Sequence, residues 1–442
     1  METVAHTRCS VVSARRSKVL RWLIPRMKSA ASSRMHSQNM AQSSNVALKS
    51  GWLRLDPVLT IATAQLFGTS LWFSANSAAD VLARTWGLTA ANIGMLTAAV
   101  QSGFILGTLV FAVFGLADRF SASRIFCLSA LLGAAFNAWF SCLSGDFSAA
   151  IALRFAVGVC LAGVYPIGMK LIISWAPDRA GAALALLVGM LTLGAALPHG
   201  LRIVAAQWPW QYVMVGSSVL AGIAAVMVIY LGNGPHLPMR RPGGPNPGNP
   251  LHAFRDPQFR AISLGYFGHM WELYAFWTIL PMLVARSSLP SLFETQGISA
   301  LAFAIIGVGA IGCVFGGVLT RWVDSARVAL SALAISGVCC FLLPFAADAL
   351  SRGWLLVFFL IWGAAVVADS PQFSALAART CPLPLVGGAL AIQNSIGFTL
   401  TVASITLVST LQGDLGMKTS WMLLPGPFLG IIGFLSLGRS SR

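Results

Sequence analysis

Twelve apolar runs, each long enough to cross a bilayer and each set off by a short polar stretch, constrain this chain more than any other feature. They occupy approximately 58–82, 91–113, 125–144, 148–171, 181–204, 210–232, 261–284, 298–319, 327–346, 353–375, 386–411 and 420–438. A membrane helix takes about 20 apolar residues. Inside lipid each backbone N–H and C=O must be satisfied by the protein itself, which leaves helices as the fold for runs of this length. A soluble alternative fails on composition. Of 442 residues 57% are hydrophobic and 10% are charged, whereas a soluble domain carries about a quarter charged residues. The expected fold class is therefore an all-α polytopic membrane protein with twelve transmembrane helices.

The formal net charge is +16, which in a soluble protein would suggest nucleic acid. Here the basic residues lie between the apolar runs and in an N-terminal tail, so no nucleic-acid partner is expected. Residues 1–55 form a separate basic region with ten Lys/Arg and many Ser. They read as an organellar transit peptide or as the product of a mis-assigned start, and as disordered in either case. Outside this tail, thirteen Lys/Arg fall on the side of the N-terminus and five on the other. The positive-inside rule then puts both termini in the cytoplasm, and the expected location is a cell (inner) membrane. Trp52, Trp86, Trp175, Trp208, Trp210, Trp354 and Trp421 fall near run ends, where an aromatic belt would sit. The eight cysteines show no CxxC or metal-like spacing and behave as small hydrophobes. P-loop, HExxH and GxSxG motifs are absent, so no enzyme activity and no cofactor is expected.

Between the sixth and seventh runs, 233–260 contains MRRPGGPNPGNP, which can neither continue a helix nor sit in lipid. It divides the chain into an N-terminal six-helix domain, 56–232, and a C-terminal one, 261–438. The halves look like copies. Gly181-Ala182-Ala183-Leu184-Ala185-Leu186 matches Gly387-Gly388-Ala389-Leu390-Ala391-Ile392 at an offset of 206, and Tyr165-Pro166 matches Ser370-Pro371 at 205. Trp72 matches Trp277 at 205 and Ser123-Arg124 matches Ala326-Arg327 at 203. Tandem six-helix repeats about a central linker are a transporter architecture, with the substrate site between the repeats near the midplane.

Two segments carry a family resemblance. The turn after the second run, Phe114-Gly115-Leu116-Ala117-Asp118-Arg119-Phe120-Ser121-Ala122-Ser123-Arg124, resembles the G-x-L-a-D-R-x-G-R-R signature of the major facilitator superfamily. It departs from that signature at Phe114 and Ser121. Arg154-Phe155-Ala156-Val157-Gly158 in the fourth run is similar to the start of the family's R-x-x-x-G-x-G motif. The resemblance covers about 56–438. It implies two six-helix domains whose first, fourth, seventh and tenth spans line a path that opens alternately to each side. It also implies that Asp118, with Arg119 and Arg124, acts as a conformational latch by pairing or capping across the halves. The second half has Arg321 where its acid would stand, so the latch is one-sided; the alternative is a solvated turn.

Polar residues inside the runs are the candidate site. Glu272 lies near the middle of 261–284, and a carboxylate there is costly when ionised, which suits it to carry a proton as water access changes. His269, three residues earlier, shares its helix face, so the two are the proton-coupling candidates; a structural, hydrogen-bonded Glu is the alternative. Substrate-cavity candidates are Gln65, Trp72, Asn76, Gln101, Arg154, Tyr165, Tyr274, Trp277, Asp369, Gln372, Gln393 and Asn394. Arg154 either faces a wet cavity or snorkels to the outer headgroups. Lys170 is placed to pair with Asp369 across the pseudo-axis, and His199, after Pro198, is either a proton site or a helix-interface group. The expected function is secondary active transport of a small solute with protons, by a monomer in lipid. An uncoupled facilitator, a transporter-like sensor and a membrane enzyme are the alternatives.

The orientation is testable. In a cysteine-free background, Gly243→Cys and Trp208→Cys should be labelled by an impermeant thiol reagent from opposite faces. Labelling of both from one face overturns it.

Overall fold

The structure, a computed structural model, describes residues 56–143, 145–205, 207–237, 249–292, 297–382 and 385–438. The expectations for residues 1–55 and for the Pro/Gly-rich heart of the linker lie outside the described residues. Among those described, the elements are helices and no strand. The first run is broken into α1 (Pro57–Thr69), α2 (Ser74–Ser77) and α3 (Ala79–Trp86). Next come α4 (Ala90–Phe114), the single turn α5 (Leu116–Arg119), and α6 (Ala122–Phe140). The fourth run is split into α7 (Phe147–Leu161) and α8 (Tyr165–Trp175), followed by α9 (Ala180–Val204) and α10 (Gln211–Leu231).

Beyond the linker stand α11 (Pro257–Arg286), α12 (Gly297–Leu319) and α13 (Ser325–Ala349). The tenth run is split into α14 (Arg352–Ala368) and α15 (Ser370–Thr380), and α16 (Val386–Leu415) and α17 (Pro425–Gly438) complete the chain.

Each of the twelve runs carries helix, yet nine stretches among the described residues are long and apolar enough to cross a membrane. The difference has local causes. The first run is interrupted at residues 70–73. The 30-residue α11 carries Arg260, His269, Glu272 and Arg286, which lower its hydropathy. The last two runs join as one stretch through a 3₁₀ turn at Gly416–Met422.

Helix ends use the few available polar groups. Thr89 and Asn92 form a capping box at α4, with Asn92 N–H donating to Thr89 Oγ1 at 3.2 Å. Asp146 accepts from Ala149 N–H at 3.0 Å at the start of α7. Asp256 accepts from Gln258 N–H at 2.7 Å at the start of α11. These carboxylates satisfy orphan donors and complement the helix dipoles. Gly115 leaves α4 at φ 59°, a left-handed conformation that makes the tight turn into α5 possible.

Close packing in lipid relies on small residues, and here it exposes the repeat. A Cβ at Gly158 of α7 would overlap the carbonyl of Val100 on α4, and one at Gly363 of α14 would overlap the carbonyl of Ile305 on α12. Both residues of the second pair stand 205 positions after their counterparts. Runs 4 and 10 are also broken by one device, a proline in the first turn of α8 and of α15. The halves meet where α9 packs on α12, with Gly189 beside Ala310 and Gly200 beside Phe303, and where α4 packs on α16, with Gly94 beside Ser409.

Gly158→Leu must push α4 and α7 apart, and overpacking of this kind costs about 1–3 kcal/mol. It should lower the thermal unfolding midpoint in detergent, while Gly181→Ala, with nothing within 4 Å of its Cβ, should not. Equal midpoints would show that the α4–α7 contact is not close-packed.

Candidate functional site

The break in the first run frees carbonyls in the middle of the bundle, and Arg154 takes them. Its Nη1 donates to Leu71 O, Ser74 Oγ and Asn137 Oδ1, each at 3.1 Å. Nη2 donates to Leu71 O at 3.1 Å and to Trp72 O. Asn137 on α6 extends the network, donating to Met214 O at 2.9 Å and Ser218 Oγ at 3.1 Å on α10. Arg154 is fully buried. It turns inward rather than to the headgroups and is on the wall of neither the central cavity nor the outer pocket, and its guanidinium fits several carbonyl acceptors at once. The sequence reading missed Asn137 and Ser74, whose signal was a polar side chain in an otherwise apolar helix.

A central cavity opens among α8, α9, α11, α14, α15 and α16. Its wall includes Tyr165 and Met169, Tyr266, His269 and Tyr274, Ser370 and Ser374, and Gln393, Asn394 and Phe398. Of the sequence candidates, Tyr165, His269, Tyr274, Gln393 and Asn394 therefore meet here, with Tyr266 and Ser370 beside them; Ser374 and Phe398 were not anticipated. Asp369 lies behind the wall at the α14–α15 junction. His269 Nδ1 stands 2.8 Å from its Oδ1, and both side chains are 1% exposed. The contact is at ion-pair distance but outside hydrogen-bond geometry, and His269 Nε2 has no partner in the protein.

This arrangement corrects two expected pairings. Asp369 meets His269 rather than Lys170, and Lys170 Nζ instead donates to Asp118 Oδ1 at 2.6 Å. Asp118 and Lys170 both belong to the first half, so Asp118 ties α5 to α8 and does not reach across the halves. The reason is proximity: the α4–α5 turn folds directly under α8. Arg119 and Arg124 are exposed and take no part in that pair. Asn233, at the end of α10, accepts from Ser123 N–H at 2.9 Å, fastening the same turn to the start of the linker.

Glu272 turns away from His269. Its Oε1 accepts from Trp362 Nε1 at 2.8 Å, from Cys340 Sγ at 3.2 Å and from Ser336 Oγ. These donors sit on α13 and α14, so a spacing of three along α11 has put the two side chains into different interfaces.

Towards the end of the bundle away from the linker, six aromatic rings from both halves interlock. Trp72 stacks on Tyr274 at 5.5 Å and on Phe398 at 6.0 Å. Phe73 meets Trp277 edge-on at 5.7 Å, and Phe104 meets Phe398 at 4.4 Å. All six are buried. Beyond them lies a second, polar pocket lined by Asn76, Ser77, Asp80, His199 and Ser299. Trp72 and Trp277 are thus a plug between two cavities, and Asn76 belongs to the outer pocket. Gln65 and Gln101 are buried within the first half without hydrogen-bond partners, and Gln372 is buried facing Gly316 of α12. Trp86 and Trp210, expected in an aromatic belt, pack instead on each other and on Phe140. Among the described residues no cluster of three His, Cys, Asp or Glu forms a metal site.

The family model described as the Major Facilitator Superfamily matches residues 61–405. The chain belongs to the major facilitator superfamily. No curated protein matches it. Membership makes this a multi-pass membrane transporter of small molecules.

Arg154 in this transporter is a clasp, so its loss should act on stability. Arg154→Met leaves the Leu71 and Trp72 carbonyls unmet and should cost about 3 kcal/mol, read as a lower unfolding midpoint in detergent. Arg154→Lys, a point donor without the fork, should recover only part. A variant of full stability that fails to transport would place Arg154 in solute binding instead.

Proposed function

We propose that this transporter is a secondary active carrier that moves a small solute by alternating access and couples it to protons at the His269–Asp369 pair. The observation that carries this reading is the 2.8 Å contact itself, with His269 on the wall of the central cavity and Asp369 behind it. Asp369 faces the imidazole at Nδ1, which leaves Nε2 to take or give a proton. Closing the cavity removes water from the pair, and opening it restores water, so protonation follows access. The halves 56–232 and 261–438 rock about the aromatic plug, with 233–260 joining them on the cytoplasmic side of a cell (inner) membrane. The Asp118–Lys170 pair holds the intervening turn rigid while they move.

Glu272, the expected coupling group, has a lesser claim in this geometry. Three donors already occupy one carboxylate oxygen, and they fasten α11 to α13 and α14. Glu272 as the proton carrier remains the second reading, favoured by its complete burial at mid-helix.

One experiment separates these readings. With a solute identified by an uptake screen, proteoliposomes under a pH gradient should accumulate it. His269→Gln and Asp369→Asn should each reduce accumulation by about tenfold or more and keep counterflow, because exchange needs no net proton release. Glu272→Gln should keep coupling. Loss of coupling in Glu272→Gln alone returns the role to Glu272, and wild-type flux indifferent to the gradient makes the protein an uncoupled facilitator.

A further inference from the structure

We propose that the central cavity binds an organic cation with a flat apolar body and releases one proton for each cation bound, a proposal that rests on the His269–Asp369 reading above. Charge is the first support. No Lys, Arg, Asp or Glu lines the cavity, and the basic residues nearest to it are committed elsewhere. Lys170 is paired with Asp118. Arg154 is bound to carbonyls at the break of the first run, and Trp72, whose carbonyl it holds, turns its ring to Tyr274 and Phe398.

The His269–Asp369 pair then has two states. With its proton it is imidazolium and carboxylate, net zero. Without it, Asp369 leaves one uncompensated negative charge in a buried site, which is unfavourable unless a cation is supplied. In neither state is the pair net positive, because Asp369 behind the wall compensates the His269 imidazolium, so an anionic solute meets no uncompensated positive charge. A cationic solute offers what the proton offers, and the two exclude each other. The step balances simply: the N–H bond at His269 Nε2 breaks, the proton passes to water, and the cation enters, with no net charge moved.

The groups facing the pair do not change this balance. Tyr165 on α8 and Tyr266 and Tyr274 on α11 are phenols, ordinarily neutral near pH 7, as is the Cys313 thiol on α12. Glu272, about 60° around α11 from His269, is turned into the neighbouring interface with its own donors on α13 and α14. No titratable side chain from α16 or α17 reaches this depth.

Shape is the second support. Tyr266 lies 6.1 Å from the His269 ring and Tyr274 lies 5.3 Å from Phe398, and all three aromatic residues line the cavity beside His269. Aromatic faces attract cations and stack on flat bodies. Gln393 adds a buried Oε1 that has no hydrogen-bond partner, an acceptor for a solute N–H.

The test is binding of 1-methylquinolinium and of quinoline-2-carboxylate to the purified full chain in detergent, followed by tryptophan fluorescence. A pH dye in weakly buffered solution reports proton release. The cation should bind about tenfold tighter than the anion or better, releasing one proton per cation. Asp369→Asn should erase both effects, and His269→Gln should erase the proton release while keeping the cation preference. Equal or tighter binding of the carboxylate, or no binding of the cation at saturating concentration, overturns the proposal. A cation preference without proton release supports the solute class and overturns the His269–Asp369 coupling on which the exchange rests.

Discussion

The absence of water inside a bilayer is the constraint from which the rest of this structure follows. A helix interrupted there leaves carbonyls that only the protein can satisfy. The first run is interrupted at residues 70–73, and a fully buried arginine from α7 is the compensation. Arg154 gathers Leu71 O and Trp72 O together with Ser74 and Asn137. By fixing the backbone at Leu71 and Trp72, it also fixes where the Trp72 and Phe73 rings go. Those rings meet Tyr274, Trp277 and Phe398 of the other half. A charged group in the first half thereby sets the position of the aromatic plug that separates the two cavities.

The second half solves the corresponding problem with different chemistry. Its seventh run is an unbroken helix of 30 residues, and its buried ionisable groups include two acids and a histidine rather than a guanidinium. Glu272 is held by donors from α13 and α14, while Asp369 sits behind His269 at the start of α15. The glycine contacts repeat between halves at a fixed offset, but the polar groups do not. A shared scaffold with unlike polar fillings is what allows the first half to anchor its side of the plug with Arg154 while the second holds the ionisable pair.

Much of the scaffold was legible in the linear chain. The runs, the linker, the duplicated Tyr165-Pro166 and Ser370-Pro371 breaks and the Leu116-Ala117-Asp118-Arg119 turn all rest on local sequence, because lipid leaves so little choice of secondary structure. Individual cavity residues were legible as polar or aromatic side chains in apolar runs. Their partners were less so. Lys170 stands at nearly the depth of Asp369 along the membrane axis, but depth gives no azimuth, and the lysine turned to Asp118 in its own half. His269 and Glu272 lie three apart, on one broad face, yet α11 is packed on several sides and the two fell into separate interfaces.

The sequence by itself determined that the chain is a helical membrane protein built from two related halves, since hydropathy, proline placement and basic-residue counts act over a turn or two of helix. Only the tertiary structure decided which buried polar group meets which: Arg154 with the Leu71 and Trp72 carbonyls, His269 with Asp369, and Glu272 with Ser336, Cys340 and Trp362. The physical reason is that these pairings depend on helix rotation and close approach between segments tens of residues apart. Glycine contacts and interlocking aromatic rings set that geometry, and no local pattern records it.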